Sequence, residues 1–171
     1  MTPHDLKENL SLPLIAAPMF LISDPAFALT VCREGVVGSF PALNVRTSEE
    51  LEQWLIQMNI GMQELTRDNP PGTVAPYAVN LISHKTNPRL QADLDLIVEY
   101  QVPVVITSLG LVPEVIERVH SYGGIILHDI TNEEHARKAV AAGVDGLIAV
   151  CDQAGGHAGK LDAKTLMDQI R

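Results

Sequence analysis

Six short apolar runs are spaced along the chain, and each is followed by a longer segment that suits a helix. The runs are rich in Val, Ile, Leu and Ala and show no strict alternation with polar residues. Such runs are typical of parallel strands that are buried on both faces. The pattern predicts strands at residues 12–17, 36–40, 77–81, 103–107, 124–127 and 144–150.

Helix-starting and helix-stopping residues stand between these runs. Ser23 or Asp24 is expected to cap a helix that has Pro25 in its first turn, and Gly35 is expected to end it. Thr47 opens a second helix, in which Leu51, Trp54, Leu55 and Met58 recur at helical spacing. Further helices are predicted at residues 90–100, 113–122, 131–142 and 161–171, and a turn-rich loop at 63–73.

Alternating strands and helices predict one α/β domain, over residues 1–171, with a parallel sheet. Two architectures remain open on this pattern, a doubly wound open sheet and a (β/α)8 barrel of the TIM type. Both bind ligands at the carboxyl ends of their strands. The chain supplies only about six of the eight β/α units that a barrel needs.

Polar residues collect where the predicted strands end, at Asn80, Thr107-Ser108, His128-Asp129 and residues 153–157. The last of these groups lies in the stretch Ala-Gly-Gly-His-Ala-Gly, residues 154–159. Glycines between a strand and a helix often bring backbone amides to a phosphate, and a histidine there can move protons. The stretch matches neither the dinucleotide fingerprint nor the P-loop, so a simple turn remains the alternative.

Composition narrows the partners. The net charge of −9 argues against nucleic acid or an anionic membrane surface, because both attract basic patches. Cys32 and Cys151 are the two cysteines and show no zinc or disulfide spacing, and the histidines form no tight metal-binding pattern, so no metal site is predicted. No apolar run approaches the ~18 residues of a membrane span. We expect a cytoplasmic protein.

Several motifs occur together and in order: Leu-Ile-Ala-Ala-Pro-Met at 14–19, Val-Asn-Leu at 79–81, Ala-Gly-Val-Asp-Gly at 142–146, and the Ala-Gly-Gly-His-Ala-Gly stretch. With these motifs the chain resembles the nitronate monooxygenases, which are FMN-dependent barrel enzymes. The resemblance covers residues 12–171. It implies oxidation of a nitronate or nitroalkane with molecular oxygen, with FMN as cofactor.

The resemblance also implies roles for particular residues. His157 corresponds to the active-site histidine, which in some members of the family removes the α-proton of the substrate. The residues expected to contact the flavin, its ribityl chain or its phosphate are Pro18, Met19, Asn80, Gln153, Gly155 and Gly156.

Two other functions remain open. The glycine-histidine motif is shared with FMN-dependent enoyl-acyl carrier protein reductases, and a chain short of two strands could be an inactive fragment that acts in assembly. Six strands tilted for an eight-stranded barrel leave two bare edges. We therefore predict a homo-oligomer in which another copy covers these edges.

Overall fold

A parallel five-stranded sheet forms the centre of the protein. The computed structural model describes residues 2–8 and 10–171. The five strands are β1 (Gly38–Pro41), β2 (Tyr77–Ile82), β3 (Val104–Ser108), β4 (Ile125–Ile130) and β5 (Gly146–Ala149). Strands β2 and β3 are buried along almost their whole length, as their unbroken apolar sequences predict.

The order of the strands in the sheet is their order in the chain, and every neighbouring pair is parallel. A doubly wound sheet reverses its strand order part-way across, whereas a β/α barrel advances in one direction. The sequential order therefore decides between the two predicted architectures. The fold is α/β of the barrel type, and the described residues form five of its strands.

Seven α-helices lie in the described part of the chain, and one short 3₁₀ turn, Ala42–Asn44, follows β1. The helices are α1 (Pro3–Glu8), α2 (Pro25–Arg33), α3 (Ser48–Asp68), α4 (Leu90–Glu99), α5 (Pro113–His120), α6 (Glu133–Ala142) and α7 (Ala163–Ile170).

Local capping explains several of the helix boundaries. The Asp24 carboxylate accepts a hydrogen bond from the amide of Phe27 at the start of α2. Thr47 and Glu50 form a reciprocal capping box at the start of α3. Gly143, at φ +88°, ends α6 in the left-handed conformation that glycine adopts without strain.

Two predictions about elements are wrong, and one helix lies where none is predicted. Residues 12–17 do not form a strand; only Ile15 makes an isolated parallel bridge, to Val37. Pro13 has no amide hydrogen to donate, and Leu12 and Leu14 lie exposed rather than packed between two layers. The predicted loop at 63–73 is helical as far as Asp68, and helix α1 was not predicted.

The core has two layers, one on each face of the sheet. Side chains such as Val79, Val105 and Ile126 pack against the helices. Their alternating neighbours, which include Ala78, Val104 and Ile125, form the inner layer, together with Leu6 of α1. Because side chains alternate along a strand, this division shows which strand residues face the barrel interior.

Burial falls across the sheet toward β5. Every residue of β1 is buried, whereas no residue of β5 is fully buried and Ala149 is exposed. This edge leads directly into the glycine-histidine stretch. The two regions of the carboxyl edge that carry candidate chemistry therefore differ in how firmly they are held.

Candidate functional site

Three polar side chains from neighbouring strands meet at the inner carboxyl end of the sheet. The amide nitrogen of Asn80 on β2 donates to Ser108 Oγ at 2.8 Å and to the Ile106 carbonyl at 3.1 Å. Ser108 Oγ donates in turn to Asp129 Oδ2 at 2.6 Å. We call Asn80, Ser108 and Asp129 the inner polar chain.

Within the inner polar chain, burial changes the pKa of the Asp129 carboxyl group. Asp129 is partly buried, and loss of water around its carboxylate raises its pKa above the usual 3.8. The hydrogen bond from Ser108 opposes the shift without cancelling it. A carboxylate held in such surroundings at a strand end is a common feature of functional sites.

A second polar pair lies on the other face of the same two strands. Thr107 Oγ1 and His128 Nδ1 are 2.7 Å apart, and both residues are buried. In the register of the sheet they align with Leu81, which packs on the helix side. Burial, with a smaller effect of His135, lowers the pKa of His128. Of the sequence pair His128-Asp129, only Asp129 therefore faces the inside.

Hydrogen bonds with Ser23 and Asn44 hold the segment that contains Pro18 and Met19. Ser23 Oγ accepts from the Met19 amide at 3.0 Å, and the Ser23 amide donates back to the Met19 carbonyl at 3.0 Å. The Asn44 side chain donates to the carbonyls of Met19 and Ser23 and accepts from the Leu21 amide. Leu21 is held at φ +62°, a conformation that L-residues rarely adopt.

With the backbone held by these hydrogen bonds, several apolar side chains face outward. Pro18 is half-buried, Met19 is 37% exposed, and Phe20, Leu21 and Ile22 are each more than 60% exposed. Four consecutive exposed apolar residues on a rigid turn form a platform that suits a flat apolar ligand or another protein surface. Sequence patterns did not single out Ser23 or Asn44 for this role.

A cavity of about 430 Å³ lies beside this turn. Its lining includes Phe20, Arg46 and Arg89. The Arg89 guanidinium is already engaged, because it donates to Asp93 at 3.0 Å and to the Val45 carbonyl at 2.6 Å. Arg89 therefore shapes the cavity wall, and the exposed Arg46 is the cation with more freedom to meet a ligand.

The glycine-histidine stretch forms a loop beyond β5. The amides of Ala154 and Gly159 both donate to the Cys151 carbonyl, and the Asp152 amide donates to the Leu161 carbonyl, so the two ends of the loop lie close together. Gln153, Gly155, Gly156 and His157 are all exposed at its tip. Gly156 has φ +81°, which favours glycine.

Four consecutive amides of this loop, at residues 155–158, have no hydrogen-bond partner among the described residues. The His157 ring likewise makes no hydrogen bond within the described part of the chain. The start of α7 is different, because Asp162 accepts hydrogen bonds from both the amide and the hydroxyl of Thr165. Any anion bound here would meet the loop amides rather than this capped helix end.

The family model described as nitronate monooxygenase matches residues 5–171. The chain belongs to the nitronate monooxygenase family. Among its relatives, a nitronate monooxygenase of Paraburkholderia phytofirmans is 25% identical, and the match covers 92% of this chain and 50% of that protein.

Solved structures show the same fold. FabK from Thermotoga maritima superposes with a TM-score of 0.78 at 23% identity, over 97% of this chain and 49% of the other. A nitroalkane oxidase from Streptomyces ansochromogenes gives 0.78 at 24% identity, over 96% of this chain and 57% of the other. The chain thus spans about half the length of these proteins, which agrees with the shortage of strands.

Membership of the family confirms the predicted resemblance. Within the described residues, no helix has the length and apolar character needed to cross a membrane.

Of the predicted site residues, Pro18, Met19 and Asn80 belong to the firmly held part of the carboxyl edge, and Gln153, Gly155, Gly156 and His157 to its exposed loop. No hydrogen bond among the described residues joins the two groups.

Ser108 and Asp129 are strand-end polar residues in the sequence, but the predicted site does not include them. A signal for Asp129 existed in the alternation of β4. Ile125 and Leu127 face the inner layer, so residue 129 must follow them and His128 must face the helices.

Proposed function

We propose that the protein is an FMN-dependent oxidoreductase that oxidises nitronates or nitroalkanes with molecular oxygen. The observation that carries this proposal is the run of partner-free amides at residues 155–158 beside the free imidazole of His157. Amides in such a run attract an anion, and an imidazole beside them can take a proton from a bound carbon acid.

The residues at this edge fit the chemistry of FMN. The exposed apolar turn with Pro18 and Met19 offers a surface for the isoalloxazine ring. The side-chain oxygen of Asn80 is a hydrogen-bond acceptor for an N–H or O–H of the cofactor. Gly155 and Gly156 have open space around their Cβ positions, so a ribityl or phosphate group can approach the backbone closely. Gln153 is exposed on the same loop.

A bound flavin would supply the oxidation chemistry, and the protein would supply placement and proton transfer. A nitroalkane is a carbon acid whose anion, the nitronate, is stabilised by the nitro group. In its neutral form, His157 accepts the α-proton of such a substrate. With a preformed nitronate no proton has to be removed, and the same imidazole would instead stabilise the anion.

Self-association belongs to the same proposal. Strand β5 lies at the edge of the sheet and is only half-buried, and exposed parallel edges favour pairing with another chain. We infer that copies of the chain associate through the β5 edge. Light scattering would then give a mass that is a multiple of the 18.6 kDa of one chain.

Cofactor retention and oxygen consumption test the function. We expect the purified 171-residue protein, once incubated with FMN and desalted, to keep a flavin absorption spectrum and to consume oxygen when nitronate is added. Retained flavin with NAD(P)H-dependent reduction of an enoyl thioester, and without nitronate oxidation, would favour a reductase instead. A protein that keeps no flavin and has neither activity would contradict the proposal and indicate a role in assembly.

A further inference from the structure

The inner polar chain has a direction. The Asn80 side chain has two N–H groups, and they point to the Ile106 carbonyl and to Ser108 Oγ. Turning the amide over would place the Asn80 oxygen 3.1 Å from the carbonyl oxygen of Ile106, and two acceptors repel at that distance. The backbone of β3 therefore fixes the nitrogen of Asn80 toward β3.

The oxygen of the Asn80 amide is then left for a ligand. It accepts no hydrogen bond within the described part of the chain. It is also not fully buried, so solvent or a ligand can reach it. An amide oxygen can only accept hydrogen bonds. The position therefore suits a ligand group that carries an N–H or O–H and disfavours a carbonyl or carboxylate.

Ser108 and Asp129 complete this arrangement. A serine hydroxyl has one hydrogen, and here it is donated to Asp129 at 2.6 Å, so the Ser108 oxygen is free to accept from Asn80. Without the carboxylate, the hydroxyl hydrogen of Ser108 could rotate to other directions, one of which is toward the Asn80 amide. The hydrogen bond from the Asn80 nitrogen to Ser108 Oγ would then weaken.

We propose that Asp129 is a positioning residue that acts through Ser108 to hold the Asn80 amide, so that its oxygen selects a hydrogen-bond donor of the bound ligand. This rests on the proposed function only in taking FMN as that ligand. Asp129 itself supports the assignment: it faces the inner layer, its Oδ1 has no partner among the described residues, and burial raises its pKa.

The strand offers a matched control. Thr107 adjoins Ser108 but faces the helices, where it bonds His128. Ser108→Ala and Thr107→Val each remove one buried hydroxyl from β3, but only Ser108→Ala breaks the inner polar chain. Asp129→Asn keeps an oxygen that can accept from Ser108, whereas Asp129→Ala removes the acceptor.

Two measurements test the proposal. In the protein without FMN, the side-chain N–H resonances of Asn80 report its hydrogen bonds by NMR. We expect Ser108→Ala and Asp129→Ala to shift these resonances and speed their exchange with water, while Thr107→Val and Asp129→Asn leave them close to the wild type. In a fluorescence titration with FMN, Ser108→Ala and Asp129→Ala should weaken binding about tenfold, and the other two variants no more than about twofold.

Unchanged Asn80 resonances in Ser108→Ala would overturn the proposal, as would equal losses of FMN affinity in Ser108→Ala and Thr107→Val. If Asp129→Asn weakened FMN binding as much as Asp129→Ala does, the negative charge of Asp129 would matter rather than its acceptance of a hydrogen bond from Ser108. That result would also overturn the proposal. If Asp129→Ala does not fold, Ser108→Ala and Asp129→Asn still decide the matter. A wild type that binds no FMN contradicts the proposed function, while the NMR result still decides whether Asp129 holds Asn80.

Discussion

The two halves of the carboxyl edge are built in opposite ways. At β2–β4, Asn80, Ser108 and Asp129 are joined side chain to side chain, and Asn80 and Ser108 lie on strands that are buried along almost their whole length. Beyond β5, the loop at 150–159 is closed by backbone hydrogen bonds at its base and carries free amides and an unattached imidazole at its tip.

This contrast separates two tasks. The inner polar chain has its geometry before any ligand arrives, which is what a group that orients a cofactor requires. The loop has hydrogen-bonding capacity but few contacts to hold it, so part of any binding energy must go into ordering it. We expect substitutions in the first region to affect stability and the orientation and affinity of the cofactor, and substitutions in the second to affect the chemical step most strongly.

The largest effect is expected at the loop. Replacing His157 with Ala should lower activity on neutral nitroalkanes by roughly 10²–10⁴-fold, the usual contribution of a general base. Activity on preformed nitronates should fall much less, because no α-proton then has to be removed. Steady-state oxygen uptake with the two forms of one substrate measures both losses.

The control for this experiment is His135→Ala. His135 is also exposed, but it lies on α6 and contacts Thr131 through its Nδ1. It should leave both activities close to the wild type. Equal losses with nitroalkane and nitronate in His157→Ala would argue against a proton-removing role.

Alanine substitutions at two glycines, one in each region, would compare how tightly the two regions are packed. A Cβ added to Gly110, next to the inner polar chain, would lie 2.2 Å from the backbone oxygen of Ser83, whereas one added to Gly155 meets nothing within 4 Å. Gly110→Ala should therefore lower the free energy of unfolding by about 1–3 kcal/mol, and Gly155→Ala by less than about 0.5 kcal/mol. Urea unfolding of both variants measures the difference, and similar losses would mean that the loop is as tightly packed as the inner edge.

Much of the fold was predictable because parallel strands buried on both faces appear as unbroken apolar runs. Strands β2 and β3 follow this rule closely. The rule failed at residues 12–17, where the run is apolar but Leu12 and Leu14 stay exposed and a single bridge, at Ile15, joins the sheet. Composition cannot reveal whether an apolar run has a second layer to pack against.

The candidate site was less predictable from residues alone. Asn80 and the glycine-histidine loop stand out as polar groups at strand ends, but their roles at a flavin come from the family resemblance, and the inward direction of Asp129 follows from the alternation of β4. The pinning of Met19 by Asn44 joins residues 25 positions apart, and no local pattern announces such a contact. The free amides of the loop are visible only once the partners of every neighbouring amide are known.

The smallest effect concerns charge, and it has opposite signs in the two regions. Burial raises the pKa of Asp129, whereas hydrogen bonds from Thr165 lower the pKa of the exposed cap Asp162. A carboxyl with a raised pKa binds its proton more tightly in the folded protein, so stability falls as the pH rises from the usual 3.8 through the raised value. For Asp162 the reverse holds: its stabilising effect is complete above the usual value and is lost as the pH falls through the lowered one.

Thermal melts of Asp129→Asn and Asp162→Asn across the acid range separate these two cases. At pH 7, Asp129→Asn should melt above the wild type, because it removes a buried charge and keeps an oxygen to accept from Ser108, and this advantage should shrink as the pH falls through the raised pKa of Asp129 toward the usual 3.8. Asp162→Asn should melt at or below the wild type at pH 7, and its difference should shrink in acid as the wild-type carboxylate is protonated. An Asp129→Asn protein that is less stable at pH 7 than the wild type would mean that the carboxylate stabilises the inner edge, and the two regions would then not differ in the way their burial indicates.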